Sequence, residues 1–230
     1  MGNLLRLLGR RLISLPFVAF GVVFLVFFLM SFSQYDPAVS ALGENATAEQ
    51  LAAYRHEMGF DRSWGEQFLS YLGGLFQGNL GVYGVNKDSV SSRIATAFPI
   101  TLQLTFIALI IAVVFSVIFG VLAALYRDTW VDQVIRVISI IAIATPSFWL
   151  GVLLIYLLQI KLALLPGAGE LVPFSVDPGE YLARMAMPAF SLGFPVAGQM
   201  TRIIRTSMVE ELDKDYVRTA IGAGVPKRVV

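Results

Sequence analysis

The chain has 230 residues, of which 57% are hydrophobic and only 14% charged, with a net charge of +1 and no cysteine. A soluble domain carries about 25% charged residues, so the composition excludes an ordinary soluble protein, and the near-neutral charge excludes a basic nucleic-acid-binding surface. The absence of cysteine excludes disulfides and thiolate metal sites. His56 is the only histidine, and it is predicted to be a solvated residue because a metal site needs several convergent ligands.

The first apolar run covers residues 12–32 and follows Arg6, Arg10 and Arg11. It is longer than the apolar core of a signal peptide, which favours a retained transmembrane helix. Small residues at positions 31 and 33 keep a cleaved signal peptide as the alternative. The positive-inside rule predicts that the three arginines stay in the cytoplasm.

Residues 33–97 form a long segment that is predicted to lie outside the membrane. Trp64, Phe68, Tyr71 and Leu75 recur at helical spacing, so an amphipathic helix should rest on the membrane or on a partner. The glycines at 73, 74, 78, 81 and 84 predict turns. Lys87 is predicted to be a surface lysine, because no phosphate-binding loop motif surrounds it.

Three further apolar runs follow, at residues 98–125, 134–165 and 185–204. In the first of them Ser116, Gly120 and Ala124 recur every four residues, which predicts close packing against another helix. The second is interrupted by Thr145-Pro146-Ser147, and proline breaks helical hydrogen bonding, so it is predicted to be one kinked or broken crossing. Four crossings return the chain to the cytoplasm at Arg202, and Lys and Arg are then more frequent inside than outside. The predicted fold is an all-α, polytopic helical bundle.

Catalytic motifs are absent from the sequence, and the polar residues inside the spans are neutral, so they cannot act as a proton relay. A channel-like or externally powered pathway for a polar solute remains. Such residues also bond neighbouring helices together, and that alternative stays open for each of them. The candidate pathway-lining residues are Gln103, Thr105, Thr145, Ser147 and Gln199.

The last segment, about residues 209–230, is rich in charge. Its small and apolar positions, from Val209 and Leu212 to Ala223, follow steps of three and four, which predicts a short amphipathic helix. Gly222 and Gly224 are predicted to end it, and Pro226 to begin another helix.

The string Tyr216-Val217-Arg218-Thr219-Ala220, followed by Gly224-Val225-Pro226, resembles the EAA loop of binding-protein-dependent ABC importer permeases. The dipeptide, oligopeptide and nickel branch is most similar. Further matching stretches are the basic N-terminus with the first helix, residues 58–61 and 74–81, Pro99 to Leu104, Pro146 to Gly151, and residues 161–166.

This resemblance implies a type I transmembrane domain at 98–230, after a first helix (1–32) and an external segment (33–97), with two more helices expected beyond residue 230. The chain would then be a natural truncation or a fragment. The EAA loop would be a cytoplasmic coupling helix that contacts a separate ATPase. The residues implied in that contact are Glu211, Tyr216, Val217, Arg218, Thr219, Ala220, Gly224 and Pro226. The usual Arg-Ala-Lys before the glycine is replaced here by Ile221, Gly222 and Ala223, which weakens the expected cationic contact.

The resemblance also implies partners: a second permease subunit, two ATP-binding subunits, an extracytoplasmic solute-binding protein and membrane lipid. ATP and Mg would bind the partner ATPase and no cofactor this chain, which is then not an enzyme. The expected location is the bacterial inner membrane, with the N-terminus in the cytoplasm. The expected substrate is a peptide, with nickel or an oligosaccharide as alternatives. A non-transporting assembly subunit is the competing hypothesis, and a membrane enzyme is disfavoured because no acid, base or metal cluster is present.

Overall fold

The computed structural model describes residues 2–33, 36–84, 86–167 and 169–226. The chain divides into two compact units, residues 1–97 and 98–230. Each unit is described by itself below.

The described residues of the first unit form four helices and a small hairpin, besides the start of a fifth helix that continues into the second unit. The helices are α1 (Gly2–Ser31), α2 (Pro37–Leu42), α3 (Ala48–Met58) and α4 (Trp64–Phe76). Strands β1 (Val82–Tyr83) and β2 (Asp88–Ser89) pair antiparallel.

Helices α3 and α4 both begin with a reciprocal cap. The Thr47 hydroxyl accepts a hydrogen bond from the Gln50 backbone N–H, and the Gln50 side chain accepts one from the Thr47 backbone N–H. Glu66 makes the returning contact to Ser63 at the start of α4. These contacts satisfy N–H groups that a helix leaves without partners. The sequence therefore encodes the start of both helices locally.

The predicted amphipathic helix is confirmed as α4, and its aromatic face packs on α1. The ring centroid of Phe68 lies 5.6 Å from Phe24 and 5.3 Å from Phe27, and the Trp64 ring stacks on Phe68 at 5.6 Å. The prediction of turns at positions 73 and 74 is wrong, because both glycines lie inside α4. Here the apolar periodicity of the helix outweighed the low helix propensity of glycine.

Turns do occur at Gly78 and Gly84, and the backbone has positive φ at both and at Gly81. Gly81 and Gly84 flank β1, and the sequence analysis did not predict this hairpin. Lys87, predicted to be a surface lysine, forms a partly exposed ion pair with Glu57 of α3. His56 is exposed as predicted, and its Nδ1 lies 2.7 Å from Oδ2 of Asp61.

The second unit is built mainly from long helices. They are α5 (Val90–Leu125, which begins before the boundary between the units), α6 (Trp130–Ala144), α7 (Ser147–Leu154), α8 (Pro178–Leu212) and α9 (Asp215–Gly222). A π-helical segment, Ile155–Lys161, continues α7.

The chain breaks between α6 and α7 at Thr145-Pro146, as the sequence predicts. The bend there is 102°, far sharper than an ordinary proline kink. By length and composition, residues 9–31 and α5 can each cross a membrane, and the bent pair can supply a third span. The fourth predicted crossing lies within α8, which has 35 residues but falls outside that set because it is less apolar.

Small residues hold the second unit together. The predicted stripe Ser116, Gly120 and Ala124 is buried, which confirms it, and it extends back to Ala108 and Ala112. A Cβ on Gly120 would lie 2.7 Å from Cγ2 of Ile204 in α8. A Cβ on Gly198 would lie 2.8 Å from Cβ of Ala142 in α6. The backbones of α5, α6 and α8 can approach this closely only because these positions lack side chains.

Candidate functional site

The candidate site is the junction between α8 and α9, near the end of the described chain. The sequence predicted one helix across this region, and that prediction is wrong: α8 ends at Leu212 and α9 begins at Asp215. Lys214 has an extended backbone (φ −68°, ψ 151°), which no α-helix can continue through. Because of this break, the axis of α9 need not follow the axis of α8.

Side chains on both sides of the break converge on Glu211. Its carboxylate accepts a hydrogen bond from Nζ of Lys214 at 2.5 Å and another from the Tyr216 hydroxyl at 2.6 Å. The ammonium of Lys214 and, to a smaller extent, the Tyr216 hydroxyl hold the pKa of Glu211 below its ordinary value. The same carboxylate raises the pKa of Tyr216, so the phenol keeps the proton that it donates.

Helix α9 has one anchored side and one open side. Val217 is its buried residue, at 2% exposure, and Ala220 is half-buried. Tyr216 is 59% exposed, and Arg218 and Thr219 are exposed as well. The open side thus presents an aromatic ring, a cation and a hydroxyl, which is a composition typical of protein interfaces.

Gly224 caps the C-terminal end of α9. Its φ is +86°, its N–H donates to the Ile221 carbonyl, and the Val225 N–H donates to the Ala220 carbonyl. This is the usual left-handed glycine cap. The predicted end of the helix at these glycines is confirmed: Gly222 is its last residue, and Gly224, two positions later, has the left-handed backbone. Pro226 has no regular structure, and the rest of the helix that was predicted to begin there falls on residues 227–230, which lie outside the described residues.

Two further ion-pair groups involve α8, one of them at the junction, and sequence reasoning missed both. Nη1 of Arg127, in the α5–α6 turn, lies 2.6 Å from Oδ2 of Asp213. Asp132, in the first turn of α6, is completely buried and is bound by Arg136 and Arg205. The one signal in the sequence is an aspartate with an arginine four positions later at the start of an apolar helix.

The five candidate pathway residues are dispersed, and no hydrogen bond among the described residues joins any two of them. Gln103 is exposed and its Oε1 accepts from the Tyr181 hydroxyl at 2.8 Å, which links α5 to α8. The hydroxyls of Thr105 and Thr145 donate to carbonyls of their own helices, at Thr101 and Ile141.

The other two candidates lie at different places. Ser147 is half-buried at the start of α7. Gln199 is exposed and lines an open groove along α8 together with Arg202, Thr206 and Glu210. Within the described residues, no group of three or more His, Cys, Asp or Glu side chains could hold a metal ion.

The long apolar helices and the broken span define a helical membrane protein. Residues 116–230 match the model of the binding-protein-dependent transport system inner membrane component family. Residues 4–105 match the model of its N-terminal region. The chain belongs to this family, whose members are transport permeases rather than enzymes, and the resemblance seen in the sequence is confirmed.

Three curated relatives illustrate the similarity. A probable D,D-dipeptide transport system permease protein of Escherichia coli is 32% identical, over 96% of this chain and 71% of its own length. A putative peptide transport system permease protein of Brucella suis is 35% identical, over 89% of this chain and 65% of its own length. A glutathione transport system permease protein of Escherichia coli is 33% identical, over 94% and 68%. The chain thus spans about two thirds of the length of these relatives.

Proposed function

We propose that the chain is a permease subunit of an ATP-driven importer for peptides, with α9 as the coupling helix that contacts a separate cytoplasmic ATPase. The observation that carries the proposal is the two-sided character of α9. Val217 is buried, while Tyr216, Arg218 and Thr219 are exposed on a short helix that the Glu211 contacts and the Gly224 cap hold at both ends. A short helix held at both ends transmits a displacement from the ATPase to the rest of the chain without bending.

The roles within this contact follow from residue chemistry. Tyr216 and Arg218 supply the aromatic and cationic groups that dominate interface energies. Thr219 and Ala220 leave room for a partner backbone, Val217 anchors the helix, and Glu211 positions Tyr216. Gly224 and Pro226 turn the chain away from the contact. Positions 221 and 223 carry isoleucine and alanine rather than the arginine and lysine that the resemblance implies, so Arg218 provides the principal cation.

The remaining parts of the machine come from partners. ATP and Mg bind the ATPase, and this chain binds neither. A second permease subunit completes the pathway and an extracytoplasmic binding protein delivers the solute. The N-terminus and α9 both lie on the cytoplasmic side of a bacterial inner membrane, which agrees with Arg6, Arg10 and Arg11 before the first span.

A peptide substrate is supported by the names of the relatives, which describe them as permease proteins of D,D-dipeptide, peptide and glutathione transport systems. Neutral hydrogen-bonding groups suit the amide groups of a peptide. Gln103, Thr105, Thr145, Ser147 and Gln199 remain the candidate residues of the pathway. Nickel would need hard or imidazole ligands, and the described residues contain no such cluster.

The test is co-purification of the ATPase with the full-length protein carrying Tyr216→Ala and Arg218→Glu. Each of these residue types contributes about 2 kcal/mol or more when it is a hot spot, so ATPase affinity should fall roughly thirtyfold or more. Arg93→Glu is the matched control, because Arg93 is an exposed arginine of the first unit. Undiminished ATPase binding by the double variant would contradict the proposal.

Substrate class is tested separately, by uptake of radiolabelled alanyl-alanine into proteoliposomes that hold the complete complex. ATP-dependent uptake is the expected result. If the complex takes up Ni²⁺ but not alanyl-alanine, nickel replaces the peptide as the proposed substrate. An assembled complex that transports neither would favour the assembly-subunit hypothesis.

A further inference from the structure

Asp132 stands out because a charged side chain is completely buried. It is 0% exposed, and it is the largest side chain of the described residues to be fully buried. A buried carboxylate is costly unless it is paired and hydrogen-bonded. Nothing in the proposed coupling or solute path uses it.

The carboxylate of Asp132 gathers three parts of the chain. Nε and Nη2 of Arg205 in α8 lie 2.6 Å from its two oxygens, in a bidentate pair. Nη2 of Arg136, one turn later in α6, lies 2.6 Å from Oδ2. The Asp128 backbone N–H, in the α5–α6 turn, donates to the same oxygen at 3.1 Å. One side chain therefore joins the turn, α6 and α8.

A second ion pair connects the same turn to the root of α9, that is, to the segment Asp213-Lys214 that immediately precedes the helix. Nη1 of Arg127 lies 2.6 Å from Oδ2 of Asp213. Asp213 is the C-cap of α8 and stands two positions before the first residue of α9. The α5–α6 turn is thus tied to α8 at two points, at Arg205 and at Asp213.

We propose that Asp132 is a positioning residue that locks the α5–α6 turn, α6 and the end of α8 into one body at the root of α9. This inference rests on the proposed coupling role of α9. A displacement of α9 then moves α6 and α8 together, instead of being absorbed by the break at Asp213 and Lys214. The lock is needed because that break leaves α9 with no continuous helix through which to transmit force.

The geometry favours a positioning role over a contribution to stability alone. Packed apolar residues would stabilise such a site as well as a buried ion pair does. A bidentate arginine–carboxylate pair adds fixed direction, which is the property that transmission requires.

The experiment uses the full-length protein in its complete complex, reconstituted in proteoliposomes. Asp132→Asn removes the charge and keeps the shape of the side chain. We expect a normally assembled complex in which alanyl-alanine transported per ATP hydrolysed falls about fivefold or more, the low end of couplings between distant sites. A merely structural residue would lower the yield of complex and leave this ratio unchanged, so an unchanged ratio overturns the inference.

Asp88→Asn is the matched control. It makes the same chemical change at an exposed aspartate of β2 in the first unit, and its ratio should stay at the wild-type level. Should Asp132→Asn fail to assemble, Arg205→Lys decides, since it keeps the positive charge and loses the two parallel bonds. A lowered ratio supports the lock and a wild-type ratio overturns it.

Failure of the proposed function has a different signature. A wild-type complex that does not transport alanyl-alanine contradicts the proposed function, and the lock is then judged by hydrogen exchange in the complex. Faster exchange of residues 126–136 and 206–217 together in Asp132→Asn supports one body. Faster exchange in the first segment alone overturns it.

Discussion

The two units of the chain achieve close packing by opposite means. In residues 1–97, α1 and α4 meet through large rings: Phe24, Phe27, Trp64 and Phe68 stack or meet edge to face. In residues 98–230, the helices meet where side chains are missing, at Gly120 and Gly198 among others. Aromatic rings fill the space between two helices, whereas glycines allow two helix backbones to approach each other closely.

The units also differ in the exposure of the ion pairs compared here. The pairs Asp36–Arg55 and Glu57–Lys87 of the first unit are partly exposed. The second unit buries Asp132 completely and binds it with two arginines. The second unit is therefore built for fixed geometry, since both glycine contacts and a buried ion pair tolerate little displacement. The first unit relies on contacts that can adjust.

The largest expected effect comes from Asp132→Ala, which leaves Arg205 and Arg136 without their partner. Breaking a buried pair costs about 3–5 kcal/mol. Unfolding of the full-length protein by SDS, followed by circular dichroism, should show this loss. Glu57→Gln removes a carboxylate that is 61% exposed, so it should cost at most about 1 kcal/mol. Equal losses in the two variants would remove the contrast between the units.

A second test makes the same chemical change in each unit. Gly198→Ala places a methyl group 2.8 Å from Cβ of Ala142 and 2.9 Å from the Ser139 carbonyl oxygen. Neither group can rotate away, so α6 and α8 must separate, at a cost of about 1–3 kcal/mol.

The matched variant is Gly73→Ala, since no atom lies within 4 Å of a Cβ built on that α4 residue. Alanine is a better helix former by about 1 kcal/mol, so this variant should be more stable than the wild type. The two alanine substitutions are thus expected to change the unfolding midpoint in opposite directions, and the same sign in both would contradict the packing contrast.

Local patterns in the sequence predicted much of the fold. The stripe from Ser116 to Ala124, the helix from Trp64 and the break at Pro146 depend on spacing within a few residues, which a sequence displays directly. The turn at Gly224 is local in the same sense, because only glycine adopts its φ freely.

The errors and omissions have a common physical cause. Arg205 lies 73 positions after Asp132, and no local pattern indicates that α8 brings it there. The break at Asp213 was missed because the apolar steps around it fit one helix, while contacts of Glu211 with Lys214 and Tyr216 accompany the bend. At the candidate site, the sequence therefore did not predict how the side chains on the two sides of the break are arranged.

A smaller effect is expected from the aromatic cluster. Phe68→Leu keeps a large apolar side chain of similar reach but removes ring contacts to Phe24, Phe27 and Trp64. The loss should be about 1 kcal/mol, the typical value of an aromatic pair beyond its buried area. Phe76→Leu is the control, because Phe76 is 86% exposed and its replacement should leave the unfolding midpoint unchanged. A loss as large as that of Gly198→Ala would show that the first unit is as rigidly packed as the second.

The smallest effect concerns pH at the root of α9. Hydrogen bonds from Lys214 and Tyr216 lower the pKa of Glu211 from its ordinary value of 4.5. A lowered pKa in the folded state means that the stabilisation is complete above the unfolded value and is lost as pH falls through the folded value. The bend at the α8–α9 junction should therefore be unaffected near neutral pH and weaken only below about pH 4.5.

The measurement is a carbon NMR titration of the full-length protein labelled at the Glu211 side-chain carboxyl. Its midpoint should lie below 4.5, and Tyr216→Phe should bring it partly back, since Lys214 makes the larger contribution. A midpoint at or above the ordinary value would show that the carboxylate does not join the two sides of the break. The orientation of α9 would then depend on the buried Val217 and on the Arg127–Asp213 pair, and the second unit would hold α9 by contacts as adjustable as those of the first.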